Sequence, residues 1–479
     1  MKNKPSSLLP KSILLFFIGI LTLVPFGISS AADPRSMTFP VVEFHPPKGE
    51  RVVLDSGMIL YLLEDHELPL IKINAMVRTG GVYEPADKVG LASLTGEVMR
   101  TGGTVEVSGD RMDEELEFIA ASLSSVIGRD SGYASLNILK KDFKRGLELF
   151  AGMMMDPAFP EEKLDLAKKQ ALEEIRRRND QPSRIANRAF FKAVYGLNHP
   201  LARQDSLESI GKITREDLVR FHAAHYRPDA VIMAVSGDFE TKAMISRVEQ
   251  AFSGWNPGEG ELPGLPEIQR PFEPSVRLVE KDLTQTHIRV GHLGIRQDDP
   301  DYFAVSILDD ILGSGGFQSR LFKEVRTNLG LAYSVGSVFS PGKLERGVFV
   351  AYCETKADST HEALSAILKE ISKIRDVPVS EDELRLAKDA FLNSFVFSFS
   401  SPAQIVNRQA SLEYEGLPPD FLDRFRDGVV GVTPEDIQRV ARHFLRPDAM
   451  TIVAVGDPDQ FDRPLSVFGE VRIIGPEAH

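Results

Sequence analysis

The sequence predicts an α+β protein of two homologous halves that form a clam-shell, each a mostly antiparallel sheet packed with helices. Residues 213–238 and 432–457 share one pattern, in which a Thr, an acidic turn and an amphipathic helix precede Arg-Pro-Asp-Ala and an apolar strand ending in Gly-Asp. Similar strands at 71–78 and 288–295 are each followed by a polar turn and a helix. Such self-similarity indicates an internal repeat of one α+β unit.

The chain is expected to divide into four segments. Residues 1–32 combine three lysines, an apolar run at 13–24 and a small-residue site at 30–32, which is typical of a cleaved secretory signal peptide. An N-terminal half is predicted at 33–255 and a C-terminal half at 277–479. The stretch between them, 256–276, is rich in proline and glycine at its start and is predicted to be a linker.

Composition and charge argue against several classes of function. The 479 residues carry a net charge of −13, which becomes −16 without the three lysines of the signal segment. Such an acidic chain is a poor partner for nucleic acids and anionic membrane surfaces. No stretch after the signal is apolar enough for stable membrane insertion. Cys353 is the only cysteine, so no intramolecular disulfide can form, and we expect it to face the core from a strand at 347–354.

Patterns of apolar residues predict the remaining elements. In the first half, strands are expected at 51–63, 71–78, 123–128 and 133–138, and helices at 90–101, 110–120, 140–155 and 161–179. In the second half, we expect helices at 302–312, 317–326, 359–374 and 381–397, and strands at 331–339 and 347–354.

The segment 90–104 is the most informative about function. Its apolar residues fall at helical spacing, so positions 93, 96 and 97 lie on one face of the turn. This spacing suits two metal ligands with a catalytic base between them, yet the residues present are Ser93, Gly96 and Glu97. A zinc hydrolase needs about three protein ligands and a base, so the helix lacks the groups for that chemistry.

The frame Gly-Leu-Ala at 90–92 and Gly-Gly-Thr at 102–104 resembles the zinc-site helix of the insulinase/pitrilysin (M16) metallopeptidases. In active members this helix carries the motif H-x-x-E-H. The resemblance implies that Ser93, Gly96 and Glu97 replace its His, Glu and His. The chain is therefore interpreted as a degenerate member that has no catalytic residues of its own and binds no metal.

The resemblance also implies a position for the third zinc ligand of the family, a Glu on a later helix. Residues 172–175, Leu-Glu-Glu-Ile, place it at Glu174. A single carboxylate cannot hold zinc tightly, so Glu174 is interpreted as a relic ligand position. We expect it to pair with Arg178 on the helix surface, as Glu173 would with Arg177.

The histidines suggest no replacement for the lost metal site. His222 and His225 lie three apart on one predicted helix, but the repeat has Ala441 and Phe444 at the matching positions. Without a converging third ligand, we interpret the pair as ordinary helix positions. The other histidines are scattered over different elements.

The second half resembles the family more closely. Residues 313–334 contain a glycine-rich stretch, Ser-Arg-Leu at 319–321 and Gly-Leu-Ala-Tyr-Ser at 330–334. In the family, an Arg and a Tyr seven residues apart reach over the zinc held by the opposite half; these correspond to Arg326 and Tyr333. A phenol can stabilise the oxyanion formed in peptide hydrolysis, and a guanidinium can hold a carbonyl group. Both residues also fit structural roles, at a helix end and in a sheet-edge strand.

Two further stretches have alternative interpretations. Residues 123–128 would form the edge to which a substrate peptide adds as a strand in the family, or an ordinary sheet edge. Residues 400–416, with Arg408 and Tyr414, would be a packing helix or part of a chamber wall.

The resemblance implies a function in a pair of subunits. The leading hypothesis is a non-catalytic M16 subunit, exported to a bacterial periplasm, that forms a heterodimer or higher assembly with a zinc-bearing homologue. Arg326 and Tyr333 would then contact peptide substrates in trans, with zinc bound only by the partner. One alternative is a structural or peptide-binding module without a role in proteolysis. The other is an independent metallopeptidase with a non-standard site.

Overall fold

The structure, a computed structural model, describes residues 46–255, 257, 264–268 and 272–476. The predicted signal peptide lies outside the described residues, as do parts of the predicted linker. Within the described ranges, no helix has both the length and the apolar character required to cross a membrane. We refer to residues 46–255 as the first half and to residues 272–476 as the second half.

The first half contains one mixed sheet of six strands. The strands are β1 (Glu50–Val53), β2 (Ile59–Glu64), β3 (Leu70–Val77), β4 (Ser122–Ile127), β5 (Gly132–Leu139) and β6 (Val231–Gly237). They lie in the order β1-β2-β6-β3-β5-β4. Only β2 and β6 pair in parallel, and the other neighbours are antiparallel.

Eight helices accompany this sheet within the described residues. They are α1 (Leu91–Gly102), α2 (Gly109–Phe118), α3 (Phe143–Met155), α4 (Glu161–Arg177), α5 (Pro182–Tyr195), α6 (Leu207–Lys212), α7 (Arg215–His225) and α8 (Thr241–Ala251). The inward side chains of the strands and of most of these helices form one large apolar core.

The second half repeats this plan. Its strands are β7 (Ser275–Glu280), β8 (Gln285–Leu293), β9 (Ala332–Ser340), β10 (Val348–Lys356), β11 (Thr451–Gly456) and β12 (Val471–Ile473), in the order β12-β7-β11-β8-β10-β9. Its helices are α9 (Tyr302–Asp309), α10 (Thr360–Asp376), α11 (Glu381–Phe397), α12 (Pro402–Tyr414), α13 (Phe421–Gly431) and α14 (Pro434–Phe444).

The strand orders confirm the two-half α+β fold. From β2 to β4 and from β7 to β9, the two sheets have the same sequence of neighbours, and each half adds a different outermost strand. The repeated segments adopt the same structure, since α7 and α14 both begin with a capping box, formed by Thr214 with Asp217 and by Thr433 with Asp436. This reciprocal capping satisfies backbone groups at each helix start.

One helix from each half packs against the sheet of the other half. Phe190 and Val194 of α5 are buried with Leu293 of β8 and Val453 of β11. Conversely, Val406 and Ala410 of α12 are buried with Ile232 and Ala234 of β6. The stretch 400–416 is therefore a packing helix, and the two halves share their apolar cores at these surfaces.

Two element predictions are corrected by the structure. The single strand expected at 51–63 is a hairpin, because a turn around Gly57, with φ of 88°, separates β1 from β2. The helix expected at 317–326 is a short 3-10 turn followed by a π-helix, Phe322–Asn328. Helix α5 was not predicted. The prediction that Cys353 is buried in a strand is confirmed.

Candidate functional site

Helix α1, which carries Ser93, Gly96 and Glu97, is held at its N-terminus by a buried carboxylate. The Ala92 N–H donates to Oε1 of Glu84 at 2.6 Å, and the Gly90 N–H donates to Oε2 at 3.1 Å. Burial raises the pKa of Glu84 to about 7, against the lowering effect of these two hydrogen bonds. An acceptor here satisfies donors that the helix itself leaves unpaired.

Gly96 lets α1 approach the edge of the first sheet. A Cβ atom at this position would lie 2.7 Å from the backbone nitrogen of Ile127 in β4. Non-bonded heavy atoms pack at about 3.5–4.0 Å, so no larger side chain fits without separation of α1 from β4. Position 96 is thus occupied by a helix–strand contact.

Ser93, Glu97 and Glu174 line one open cavity of about 690 Å³ between α1 and α4. The structure therefore brings together three of the residues that the sequence singled out. Ser93 is exposed and Glu97 is half-buried. Burial, and then the charge of Glu174, raise the pKa of Glu97, which indicates that the two carboxylates interact.

The chemistry available in this cavity is limited. Two carboxylates without an imidazole do not provide the donor set of a catalytic zinc ion. Position 96 also offers no side chain to take a proton from water. The residues present therefore do not fit a metallopeptidase centre of the H-x-x-E-H type.

The ion pairs expected on α4 are wrong. Arg178 donates to Oδ1 of Asp205 at 2.6 Å rather than to Glu174, and Glu173 pairs with Arg176 rather than Arg177. Among the described residues, no hydrogen bond or ion pair engages the Glu174 carboxylate. The reason is tertiary, since the loop before α6 brings Asp205 within reach of Arg178.

The edge expected for the first sheet is confirmed. β4 is the last strand in the sheet order and pairs with β5 on one side only. Leu123 and Ile127 face the core, whereas Val126 is exposed. Such a strand has unpaired backbone groups to which an extended peptide can add.

Arg326 and Tyr333 are in contact in the second half. The Arg326 Cζ lies 4.6 Å from the ring centroid of Tyr333 and 4.6 Å from that of Phe322. The guanidinium is thus in cation–π contact with two aromatic rings. Across the described residues no carboxylate pairs with Arg326.

The local fold explains this contact. Arg326 lies in the π-helix Phe322–Asn328, and π-helical turns occur often at functional sites. Gly330, with φ of 66°, then reverses the chain into β9, the edge strand of the second sheet. Tyr333 near the start of β9 is 80% exposed. The rings of Phe317 and Phe322 contact edge-on, with their centroids 4.7 Å apart.

His222 and His225 lie within the first core. The Nε2 of His222 is 2.9 Å from the Met154 carbonyl oxygen, and His225 contacts the rings of Tyr83 and Phe221. Burial lowers the pKa of each imidazole to about 4. These contacts are those of packed core histidines.

Sequence reasoning missed two residues that organise the cavity. Glu84 anchors the start of α1, and Asp205 lines the cavity while it holds Arg178. An acidic residue six positions before Gly90 was the only available signal for Glu84. Asp205 gave no signal, because its partner lies 27 residues away.

Two family models match the chain. The model described as "Insulinase (Peptidase family M16)" matches residues 62–204, and "Peptidase M16 inactive domain" matches residues 212–391. An uncharacterized zinc protease of Streptomyces coelicolor is 25% identical over 365 residues, which cover 74% of this chain and 79% of that protein. An uncharacterized zinc protease of Bacillus subtilis is 24% identical over 402 residues, with 83% and 96% coverage.

Solved structures give the same result. The crystal structure of a peptidase M16 inactive domain from Pseudomonas fluorescens superposes with a TM-score of 0.78 at 28% identity, covering 85% of this chain and 98% of that one. A protease from Helicobacter pylori shares the fold, with a TM-score of 0.76 at 19% identity and coverage of 85% and 99%. The two family models, one for each half, together span well over half of the sequence, and the chain belongs to the M16 peptidase family.

Proposed function

We propose that this chain is a non-catalytic M16 subunit that pairs with a zinc-bearing homologue and contributes Arg326 and Tyr333 to peptide hydrolysis. The partner would supply the zinc ion and the general base, and the substrate would be a peptide or an unfolded segment. On this proposal the chain acts after export, in a bacterial periplasm.

The observation that carries the proposal is the contact between the half-buried Arg326 and the exposed Tyr333. The guanidinium lies over the Tyr333 ring, and no carboxylate of the described residues neutralises it. A guanidinium without an acidic partner is available to a peptide carbonyl group. The neighbouring phenol can donate a hydrogen bond to an oxyanion as it forms.

The first half supports the proposal that the partner subunit supplies the zinc ion and the base while this chain positions the substrate. Its cavity offers the carboxylates of Glu97 and Glu174 but no imidazole, and Gly96 is packed against Ile127. The adjacent strand β4 pairs with a neighbouring strand on one side only, and a sheet edge of this kind can hold an extended peptide. A chain of this kind can position substrate without cleaving it.

The test is reconstitution with an M16 homologue from the same genome that has an intact H-x-x-E-H motif. A quenched fluorescent peptide should be cleaved by the mixture but not by this chain alone. Arg326→Ala and Tyr333→Phe should each lower kcat/KM of the mixture by about 10²–10³-fold, as loss of an oxyanion donor does. Arg424→Ala, on an exposed helix of the same half, is the matched control and should leave the rate unchanged.

Association must be measured in parallel by analytical ultracentrifugation. The proposal requires that the Arg326 and Tyr333 variants still bind the homologue. If both variants bind and cleave as the unmodified chain does, the catalytic contribution in trans is excluded.

A second candidate function is a structural or peptide-binding module. The open edge of β4 favours it, because strand addition needs neither metal nor base. This alternative predicts stable association with a partner or peptide and no cleavage in any mixture.

The third candidate, an independent metallopeptidase, is favoured only by the convergence of Glu97 and Glu174. It predicts peptidase activity of the isolated chain that is lost in Glu97→Gln and Glu174→Gln. Inactivity of the isolated chain would exclude it.

A further inference from the structure

A group of polar side chains lies at one end of the first sheet, where β2 and β6 run in parallel as neighbours. Glu64 at the end of β2 pairs in register with Gly237 at the end of β6. Glu64 and His66 therefore come from one strand end, and Asp238 and Glu240 come from the next. The carboxyl ends of adjacent parallel strands bring such side chains together.

Three of these side chains converge on a common point. One ligand atom from each of Glu64, His66 and Glu240 lies within 4.8 Å of the others. Zinc–ligand bonds of about 2.1 Å place the ligand atoms of a tetrahedral site about 3.4 Å apart. The Nε2 of His66 and Oε2 of Glu64 already lie 3.3 Å apart, and the exposed side chain of Glu240 can change rotamer to close the remaining difference.

Two of the three side chains are oriented by further contacts. The Nδ1 of His66 donates to Oδ1 of Asp238 at 2.7 Å, and Nε2 lies 3.3 Å from Oε2 of Glu64. A carboxylate on one imidazole nitrogen is the usual way in which proteins direct the other nitrogen toward a metal. The carboxylate of Glu64 is held at Oε1 by the N–H and the hydroxyl of Thr241, both at 2.6 Å, which leaves Oε2 facing His66.

We propose that Glu64, His66 and Glu240 bind a divalent transition-metal ion of the Zn²⁺ type. One imidazole and two carboxylates match the ligands that zinc and its neighbours prefer, whereas Ca²⁺ and Mg²⁺ prefer oxygen atoms alone. Three protein ligands leave at least one coordination position for water or another group. The ion would fix the strand-end loops to the start of α8.

The local charge favours a cation. Glu64, Asp238 and Glu240 supply three carboxylates, and the neighbouring cation is Lys140, whose Nζ lies 2.7 Å from Oδ1 of Asp238. With a neutral imidazole, these groups carry a net charge of −2. A bound divalent ion would neutralise it.

The site is separate from the cavity between α1 and α4. It lies at the end of β3 where Ile71 pairs with Gly237, whereas Gly96 contacts Ile127 near the other end, where Val77 pairs with Gly132. The two ends of β3 are roughly 20 Å apart at 3.3 Å per residue. The second half does not repeat the site, because Glu280, which pairs with Gly456, is followed two residues later by Asp282 and not by a histidine.

The experiment is a calorimetric titration of the purified, chelator-treated chain with Zn²⁺, repeated with Co²⁺ to give a visible absorption spectrum. The unmodified chain should bind one equivalent. His66→Gln and Glu64→Gln should lose this binding, and Asp238→Asn should weaken it by about 10–100-fold, the usual effect of removing a group that orients a ligand. His443→Gln changes an exposed histidine of the second half and should bind as the unmodified chain does.

Variants of the other cavity make the location testable. Glu97→Gln and Glu174→Gln should keep the full equivalent, and circular dichroism should confirm that every variant is folded. Absence of binding by the unmodified chain overturns the proposal, as does binding that survives His66→Gln. Binding that disappears in Glu97→Gln also overturns it, because the ion would then lie between α1 and α4. None of these results depends on peptidase activity, so the outcome is independent of the proposed function.

Discussion

The two halves share a backbone plan but present different chemistry at equivalent edges. In the first half, α1 contacts the edge strand β4 through Gly96, where a Cβ would lie 2.7 Å from a backbone nitrogen. In the second half, the helical segment after α9 contacts the edge strand β9 through Gly313, where the corresponding distance to Ser337 is 2.2 Å. The first half has the carboxylates of Glu97 and Glu174 on this side. The second half has the buried carboxylate of Asp309, which accepts a hydrogen bond from Ser337, and carries the Arg326–Tyr333 contact on the same edge strand.

A comparison of helices α4 and α11 shows which positions differ between the two halves. Each has 17 residues, and both bury a Leu and an Ala at the same positions, Leu164 with Ala167 and Leu384 with Ala387. Their exposed ends differ, since the position of Glu174 is occupied in α11 by a serine. These two buried positions are thus the same in both helices and maintain the scaffold, whereas exposed positions differ and determine the local chemistry.

The largest expected effect tests whether the halves depend on each other. Phe190 of α5 is 1% exposed and packs in a core with residues of the second sheet. Phe190→Ala should lower the free energy of unfolding by about 3–5 kcal/mol and accelerate hydrogen exchange in β8 and β11. Leu197→Ala, at a side chain that is 68% exposed, should change stability little. Faster exchange confined to the first sheet would contradict the shared core.

A pH series tests the buried anchor of α1; at the start of α9 the half-buried carboxylate of Asp299 accepts a hydrogen bond from the N–H of Asp301 instead. The folded-state pKa of Glu84 is raised from 4.5 to about 7, so the folded protein binds this proton more tightly than the unfolded chain. Its contribution to stability is complete below about pH 4.5 and is lost as the pH rises through 7. Between pH 4.5 and 8, the unmodified chain should lose up to about 3 kcal/mol relative to Glu84→Gln.

Urea unfolding of both proteins at each pH measures this difference. Because other groups titrate equally in both, the comparison isolates Glu84. Stability profiles that remain parallel from pH 4.5 to 8 would show that the carboxyl group is not buried as described.

Alanine substitutions test the common glycine contact in the two halves. Gly96→Ala and Gly313→Ala should each destabilise the protein by about 1–3 kcal/mol, because the added methyl group overlaps backbone atoms of the edge strand. Gly211→Ala in α6 meets no atom within 4 Å and should be neutral or stabilising by up to about 1 kcal/mol. If Gly96→Ala behaves like Gly211→Ala in chemical denaturation, α1 can move and a larger side chain could be accommodated at 96.

The smallest expected effect concerns the carboxylates of the first half. Removal of the Glu174 charge in Glu174→Gln should lower the pKa of Glu97, although burial, the larger cause, will keep it above its ordinary range. Glu173 lines the same cavity but is paired with Arg176, so Glu173→Gln should lower the pKa of Glu97 less. Carbon-detected NMR titration of the carboxyl groups measures the pKa of Glu97 in both variants. An unchanged pKa of Glu97 in Glu174→Gln would show that the two carboxylates do not interact.

Much of the fold could be predicted because it depends on local patterns. The repeat around α7 and α14 and the burial of Cys353 follow from periodicity and capping residues, whereas the edge position of β4 was implied by the resemblance to the family. Helix α5 was missed, because its apolar face matches a sheet that lies almost a hundred residues later in the chain. The hairpin of β1 and β2 was missed although Asp55-Ser56-Gly57 is a turn signal that separates two apolar runs.

The residue types alone determined that α1 lacks imidazoles and has no carboxylate at position 96, since no fold can supply side chains that the sequence does not contain. The sequence also indicated Arg326 and Tyr333, whose contact remains a candidate site until the reconstitution test is made. Three features were decided only by the tertiary structure. Gly96 packs against β4, Arg178 pairs with Asp205 and not with Glu174, and His66 lies close to Glu64 and Glu240. These features depend on distances between segments far apart in the chain, which only the packing of the complete fold sets.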